Sequence, residues 1–339
     1  MDVNRATAAA VIRMENLSKH YPVRQNVRQW LSREHRVVRA VDDLSLTVKR
    51  GEILGLAGES GSGKTTTGEM IVRLQEPTSG SISVDGHPLD AASRTDRKRF
   101  RREVQMIFQD PYETLNPRFT VYQTVAESLR IHGFRDRGEI ARRVLECLEI
   151  AELKPATEYL HRFPHELSGG QRQRVAIARA MVLEPKVLIA DEPVSMLDVS
   201  IRADILNLLK RLRERMGLTM IYISHDLATI KYLCDRIAVM YLGKLVELGP
   251  ADAVIGQPQH PYTRVLVASV PVADPDYARA DIDVDDAPPD QIDLPPGCRF
   301  APRCPYAREA CNACDHRLHE RRPDQFSACL FTADQWQPR

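Results

Sequence analysis

The segment Gly58-Glu59-Ser60-Gly61-Ser62-Gly63-Lys64-Thr65 constrains this chain more than any other. It fits the pattern G-x-x-x-x-G-K-[ST], follows the apolar run Ile53–Ala57 and precedes a helix-like stretch from Thr66 to Leu74. Strand, glycine loop and helix in that order are the setting such a pattern requires. Glycines let successive backbone N–H groups turn inward around β- and γ-phosphates, beside a helix N-terminus. Lys64 adds a compact positive charge, and the Thr65 hydroxyl, with Thr66 next to it, suits a hydrated Mg²⁺. A phosphate site at the carboxyl end of a strand is therefore expected, and with it an α/β fold.

The rest of the chain agrees with that expectation. Val11–Leu17, Val38–Val48, Ile53–Ala57 and Ser81–Asp85 read as strands, as do Val187–Ala190, Thr219–Ser224, Arg236–Tyr241 and Lys244–Leu248. Ile201, Ile205, Leu208, Leu209 and Leu212 recur at helical spacing between two of them. Apolar strands alternating with amphipathic helices predict a mostly parallel sheet covered on both faces. A helical stretch, about residues 94–181, interrupts the sheet and reads as an inserted subdomain within a nucleotide-binding domain of residues 1–270. Residues 271–296 hold eight aspartates and the prolines Pro275, Pro288, Pro289, Pro295 and Pro296, a composition suited to a linker. Residues 297–339 form a Cys-rich extension. No internal repeat is present, so one nucleotide unit is expected and not a tandem pair.

A net charge of +1 gives no global attraction to nucleic acid or anionic lipid. No apolar run reaches the roughly 18–20 residues of a membrane-spanning helix, and Met1–Met14 has no signal-like apolar block. A cytoplasmic protein is expected, reaching a membrane only through partners. The basic run Arg94, Arg97, Lys98, Arg99, Arg101 and Arg102 has only Phe100 as an interleaved aromatic, and reads as a solvated helix face more readily than as a nucleic-acid surface.

Two further groups carry chemistry. Val187–Ala190 ends in Asp191 and Glu192, which places two carboxylates at the sheet's ligand edge. Asp191 would hold Mg²⁺ with its water, and Glu192 would orient or deprotonate an attacking water. Cys147 and Cys234 lie in apolar helical patterns and read as core. By contrast, Cys298, Cys304, Cys311, Cys314 and Cys329 crowd the C-terminal stretch, as metal ligands do in a reducing compartment. Four thiolates suit tetrahedral Zn²⁺ or an iron–sulfur cluster; an unmetallated tail is the third reading.

Leu167-Ser168-Gly169-Gly170-Gln171, lying between the phosphate loop and the strand acids, resembles the signature of ABC ATPases. That resemblance implies an ABC-type P-loop domain: a RecA-like core with an antiparallel β subdomain and the inserted helical subdomain. It implies that Tyr21 stacks on adenine and that Gln109 touches Mg²⁺ and the water while linking to a transport partner. Asp198 would cross a dimer interface, and His225 would contact the γ-phosphate. Two such domains would pack head to tail, each ATP lying between one phosphate loop and the other chain's Ser168–Gln171. A simple P-loop kinase has no use for that segment.

Gln109-Asp110-Pro111-Tyr112-Glu113-Thr114-Leu115-Asn116-Pro117-Arg118, together with Gln257–Thr263 and the terminal cysteines, is similar to the ATPases of oligopeptide and dipeptide importers, with nickel importers close by. The resemblance implies ATP and Mg²⁺ as cofactors and a [4Fe–4S] cluster on Cys298, Cys304, Cys311 and Cys329, with Cys314 spare. The implied partners are a second ATPase subunit, either a related chain or another copy, two transmembrane permease subunits and an extracytoplasmic binding protein, but no nucleic acid. The implied location is the cytoplasmic face of the cell membrane. Two departures stand out: Met196 replaces a small residue before Leu197-Asp198, and no histidine lies close to Cys329. The rival class, a soluble ABC ATPase acting on DNA or ribosomes, usually carries two ATPase units or a long coiled coil, and neither is present.

Overall fold

In the computed structural model, residues 10–23, 36–89, 94–270, 292 and 294–336 are described. The chain divides into two units, one of residues 1–48, 53–88 and 224–339, the other of 49–52 and 89–223. Most of the expected Asp/Pro-rich linker therefore lies outside the described residues.

The first unit begins with β1 (Ala10–Pro22) and β2 (Val37–Lys49). In β2, Leu44, Leu46 and Val48 are buried while Ser45 and Thr47 between them are less so, the period-2 pattern of a strand with one covered face. β3 (Ile53–Ala57) is buried at every position, as a strand covered on both faces must be. β4 (Ser79–Val84) runs antiparallel to β1, and β5 (His87–Pro88) completes a sheet of order β2-β1-β4-β5.

The second unit contains the parallel strands β6 (Val104–Ile107), β7 (Val187–Asp191) and β8 (Thr219–Ile223), in the order β8-β7-β6. The helices Val121–Ile131, Arg137–Ile150 and Gly169–Met181 pack on one another. Each begins at a residue whose side chain accepts from the first turn: Thr120 with Gln123 in a reciprocal box, Asp136, and Ser168 with Gln171. Cys147 sits in this packing, its Sγ 3.1 Å from Ala178 O, and burial pushes its thiol up to about 12, as expected of a core cysteine. Arg97, Lys98, Arg99, Arg101 and Arg102 are exposed on the helix Arg94–Glu103, so these five form a solvated face.

The chain then returns to the first unit through β9 (Arg236–Tyr241) and β10 (Lys244–Pro250), which with β11 (His319–Arg322) and β12 (Gln325–Ser327) lie in the order β11-β12-β10-β9-β3. β3 and β9 are parallel, as expected, but the other pairs are antiparallel. The two-residue turn Leu242-Gly243, with φ of 44° and 81°, explains the reversal: positive φ at both positions is what a tight hairpin demands. The sequence signals no strand after Leu248, yet β12 pairs with β10, and Phe300 is buried among Tyr241 and Tyr262. The other isolated cysteine, Cys234, is buried against Gly55, where an added Cβ would stand 3.1 Å from its Sγ. Among the described residues, no helix is long and apolar enough to cross a membrane.

Candidate functional site

In the first unit, β3 runs directly into the loop Gly58–Thr65. Only glycine fits at two of its positions. Gly58 has φ 148° and a Cβ there would lie 2.3 Å from Met240 O; at Gly63, with φ 101°, it would lie 2.1 Å from Ala40 O. The helix Lys64–Ile71 starts immediately after Gly63. Lys64 is 6% exposed, and its ammonium lies within the loop, donating to Gly58 O and Glu59 O at 2.8 Å each and to Ser62 Oγ at 3.3 Å. Ser60, Gly61 and Thr65 are exposed, and Thr66 is half-buried. The loop thus joins strand to helix through glycine turns, with the lysine turned onto loop carbonyls.

Tyr21, near the end of β1, is half-buried, and the Lys19 ammonium stands 5.1 Å from its ring centroid. His225 is exposed between Ser224 and Asp226. Ser224 N donates to Leu56 O of β3 at 3.2 Å, while Asp226 caps the helix Leu227–Leu233 by accepting from Ala228 N and Thr229 N. Backbone and cap together fix the chain on both sides of the histidine.

The second unit holds the other candidates. β6 and β7 pair in parallel with Ile107 opposite Ala190, so their carboxyl ends lie side by side. Asp191 is 3% exposed at the end of β7. The next residue turns sharply: Glu192 has φ 44°, its N–H donates to Ile223 O at 2.9 Å, and its carboxylate accepts from Gln109 Nε2 at 3.1 Å. Gln109, Asp191 and Glu192 therefore occupy one strand-end edge. Ser168 and Gln171 bond reciprocally, Gln171 N donating to Ser168 Oγ at 3.3 Å and Ser168 N to Gln171 Oε1 at 3.0 Å, with Gly169 and Gly170 opening the helix between them. A Cβ on Gly170 would stand 2.6 Å from Ile201 Cγ2, so that glycine allows two helices to approach closely. Asp198 is exposed at the start of Val199–Met216 and makes no side-chain cap bond; Met196 and Val199 beside it are exposed apolar residues.

Sequence reasoning missed what ties Gln109–Arg118 to the helix after Ser168. The Arg172 guanidinium lies 3.9 Å from the Tyr112 ring centroid, and Arg179 Nη1 donates to Thr114 O at 2.7 Å. No periodicity signals such contacts, because they join segments distant in sequence. It also gave no role to Tyr262, Arg299 and Arg303, although Tyr262 lies in the segment Gln257–Thr263 and both arginines flank cysteines.

Cys298, Cys304, Cys311, Cys314 and Cys329 line one cavity of about 20 Å³, closed in part by Trp336. That volume holds about one water. Burial pushes the Cys298 thiol up to about 12 and raises those of Cys314 and Cys329. Cys314, expected to be spare, lines the same cavity and its Sγ lies 3.6 Å from Ala328 O. The donor chemistry fits a four-thiolate group, but among the described residues no three His, Cys, Asp or Glu groups stand ready to hold an ion. A metal would have to displace thiol protons and draw the ligands together.

The ABC transporter family pattern matches residues 41–195, and that of the oligopeptide/dipeptide transporter C-terminal region matches residues 246–311. A putative peptide import ATP-binding protein of Brucella ovis is 44% identical, covering 96% of this chain and 98% of its own. The di/tripeptide transport ATP-binding protein DppF of Pseudomonas aeruginosa is 42% identical over 89% of this chain and 92% of its own. Among solved structures, the ATP-binding cassette MJ0796, in a dimeric post-hydrolysis state bound to ADP and Pi, is 30% identical with a TM-score of 0.61, covering 71% of this chain and 98% of that one. CbiO1 from Clostridium perfringens, part of the transporter complex cbiONQ, is 30% identical with a TM-score of 0.62, covering 74% of this chain and 92% of that one. With its P-loop α/β fold and these end-to-end likenesses, the chain belongs to the ABC transporter ATP-binding family, in its oligopeptide/dipeptide group.

Proposed function

We propose that this protein is the ATP-hydrolysing subunit of an importer for di- or oligopeptides. The observation that carries this reading is the likeness to peptide import ATP-binding proteins along 96% of the chain, which includes the C-terminal region beyond the ATPase motifs. Gly58–Thr66 would hold the phosphates, Thr65, Gln109 and Asp191 the Mg²⁺, and Tyr21 the adenine. Glu192 would orient or deprotonate the attacking water, Gln109 would touch that water as well as Mg²⁺, and His225 would contact the γ-phosphate. Ser168–Gln171 and Asp198 would serve the ATP of a second ATPase subunit, so hydrolysis requires a dimer. The geometry supporting these roles is the cradle around Lys64 and the Gln109–Glu192 bond.

Dimer closure on ATP would drive two permease subunits supplied by an extracytoplasmic binding protein, with this chain peripheral on the cytoplasmic face of the membrane. The helices Val121–Ile131, Arg137–Ile150 and Gly169–Met181 would act as the helical subdomain that transmits the movement. Cys298, Cys304, Cys311 and Cys329 would hold a [4Fe–4S] cluster, or else Zn²⁺; their gathering on one cavity supports this reading. Measuring ATP turnover of the assembled transporter with its binding protein tests the cargo. Stimulation by short peptides is expected; stimulation by Ni²⁺ alone would overturn the peptide assignment.

A further inference from the structure

Two arginines beside the cysteines connect to the phosphate loop, one directly and one through a turn. Arg303, next to Cys304, is 9% exposed in its side chain and grips the Glu59 carboxylate with both guanidinium arms, Nη1 to Oε2 at 2.9 Å and Nη2 to Oε1 at 3.3 Å. Nη1 also donates to Tyr241 Oη at 3.3 Å. The backbone of Glu59 is held as well: its N–H donates to the buried Tyr262 Oη at 2.8 Å, and its carbonyl accepts from Lys64 Nζ at 2.8 Å. Tyr262 in turn packs on Tyr241 and on Phe300, with ring centroids 4.5 and 5.5 Å apart.

Arg299, next to Cys298, makes a second connection. It donates to Leu242 O and to the Asp42 carboxylate. The residue after Leu242, Gly243, donates its N–H to Ser62 O at 2.9 Å and accepts from Asp42 N at 3.0 Å. Segment 297–304 thus contacts the loop directly at Glu59 and, through the β9–β10 turn, at Ser62. The same part of the chain is also anchored by other contacts, since β12 pairs with β10 and Phe300 packs on Tyr241 and Tyr262. A bidentate, partly buried guanidinium–carboxylate pair is among the more directional polar contacts a protein makes. Here it is placed on a loop whose backbone N–H groups must face phosphate.

We propose that Arg303 is a positioning residue for nucleotide binding: by clamping Glu59 it presets the phosphate loop, and so makes ATP affinity depend on the Cys-rich segment. The proposal rests on the ATP-binding reading above. Its effect travels through Glu59, the loop side chain that both guanidinium arms grip.

Titration of the full-length chain with a fluorescent ADP analogue tests this. Arg303→Ala is expected to weaken binding about 5-fold or more, the size of a typical coupling between sites. Arg303→Lys, which keeps the charge but loses the fork, should recover part of the loss. In a Glu59→Ala background, Arg303→Ala should change affinity less than about 2-fold, because the partner is already gone. Wild-type affinity in Arg303→Ala, or an equal loss in both backgrounds, overturns the proposal. Should Arg303→Ala fail to fold by circular dichroism, Glu59→Gln carries the same test: weakened binding is expected, and wild-type affinity overturns it. If the unmodified chain does not bind the analogue, the ATP reading falls with it; if it does bind and Arg303→Ala binds equally, this inference alone is lost.

Discussion

Gln109 Nε2 donates to Glu192 Oε2 across 3.1 Å, joining the residues that follow two neighbouring parallel strands. Glu192 reaches this position by leaving the strand at once, with φ 44°. A carboxylate held by an amide donor keeps a fixed direction while retaining lone pairs to accept a proton. Glu192→Gln is therefore expected to preserve the turn and ATP binding while cutting turnover about 100-fold or more, as removal of a general base does. Steady-state ATPase assays beside nucleotide titration check it. Near-normal turnover would take Glu192 out of that role.

Lys64 is expected to act on binding instead. Its ammonium bonds to Gly58 O, Glu59 O and Ser62 Oγ, so it organises the loop as well as supplying charge. Lys64→Ala should lose affinity for nucleotide itself, by about 10-fold or more for a buried charge-assisted contact to phosphate. Equilibrium titration separates this from the Glu192 effect: one variant fails to bind, the other binds and fails to turn over.

Gly63 is held by its neighbours. With φ 101° and Ala40 O standing 2.1 Å from where a Cβ would be, no side chain fits without moving backbone. Gly63→Ala should cost about 2–4 kcal/mol, combining strain at positive φ with a backbone clash. Denaturant unfolding measures it. A loss below about 0.5 kcal/mol, the range of ordinary surface changes, would mean the loop relaxes freely.

How much of this was legible in the sequence depended on the range of the contacts involved. The phosphate loop, Asp191-Glu192 and Ser168–Gln171 were readable because a strand end, a glycine turn or a capping box lies within a few residues. β3, β7 and β8 were readable because each is a short continuous apolar run. The antiparallel half of the first unit's sheet was not, since β12 is only Gln325–Ser327 and gains its partner, β10, from far away in the chain. Nor was the Arg303–Glu59 pair, whose members are 244 positions apart. The five cysteines announced a cluster, but only the structure places all of them, Cys314 included, on one cavity.

That cavity supports a test of its contents. Protein purified without oxygen should be brown and carry about four iron and four sulfide per chain, the stoichiometry of a four-thiolate [4Fe–4S] centre. Replacing Cys298 or Cys329 with Ser should lower the iron content sharply, whereas replacing Cys147 should not. Colourless protein with stoichiometric zinc would give the site to zinc instead.

Glu247, a fully buried carboxyl on β10, ties stability to pH. It accepts from Gln259 N at 2.7 Å, His260 N at 2.9 Å and Gln325 Nε2 at 2.9 Å. Burial pushes it up to about 7, against the opposing pull of these donors. The folded state therefore holds its proton where the unfolded chain releases it. The resulting stability is fully present below the unfolded value near 4.5 and is lost as pH rises through about 7. His260 acts with the opposite sign: burial lowers it to about 3, and its Nδ1 must stay unprotonated to accept from Tyr262 N at 3.1 Å. Its stability is present above the unfolded value of 6.5 and lost as pH falls toward 3. Between about 4.5 and 6.5 the two slopes oppose each other, so the difference between variants carries the prediction. Urea unfolding of wild type and Glu247→Gln should be compared from about pH 4.5 to about pH 7.5. The wild type should lose up to about 3 kcal/mol relative to the variant as pH rises, with a limiting slope of about 1.4 kcal/mol per pH step of one. A difference that stays constant with pH would mean that Glu247 is ionised in the folded protein throughout, its hydrogen-bond donors outweighing burial.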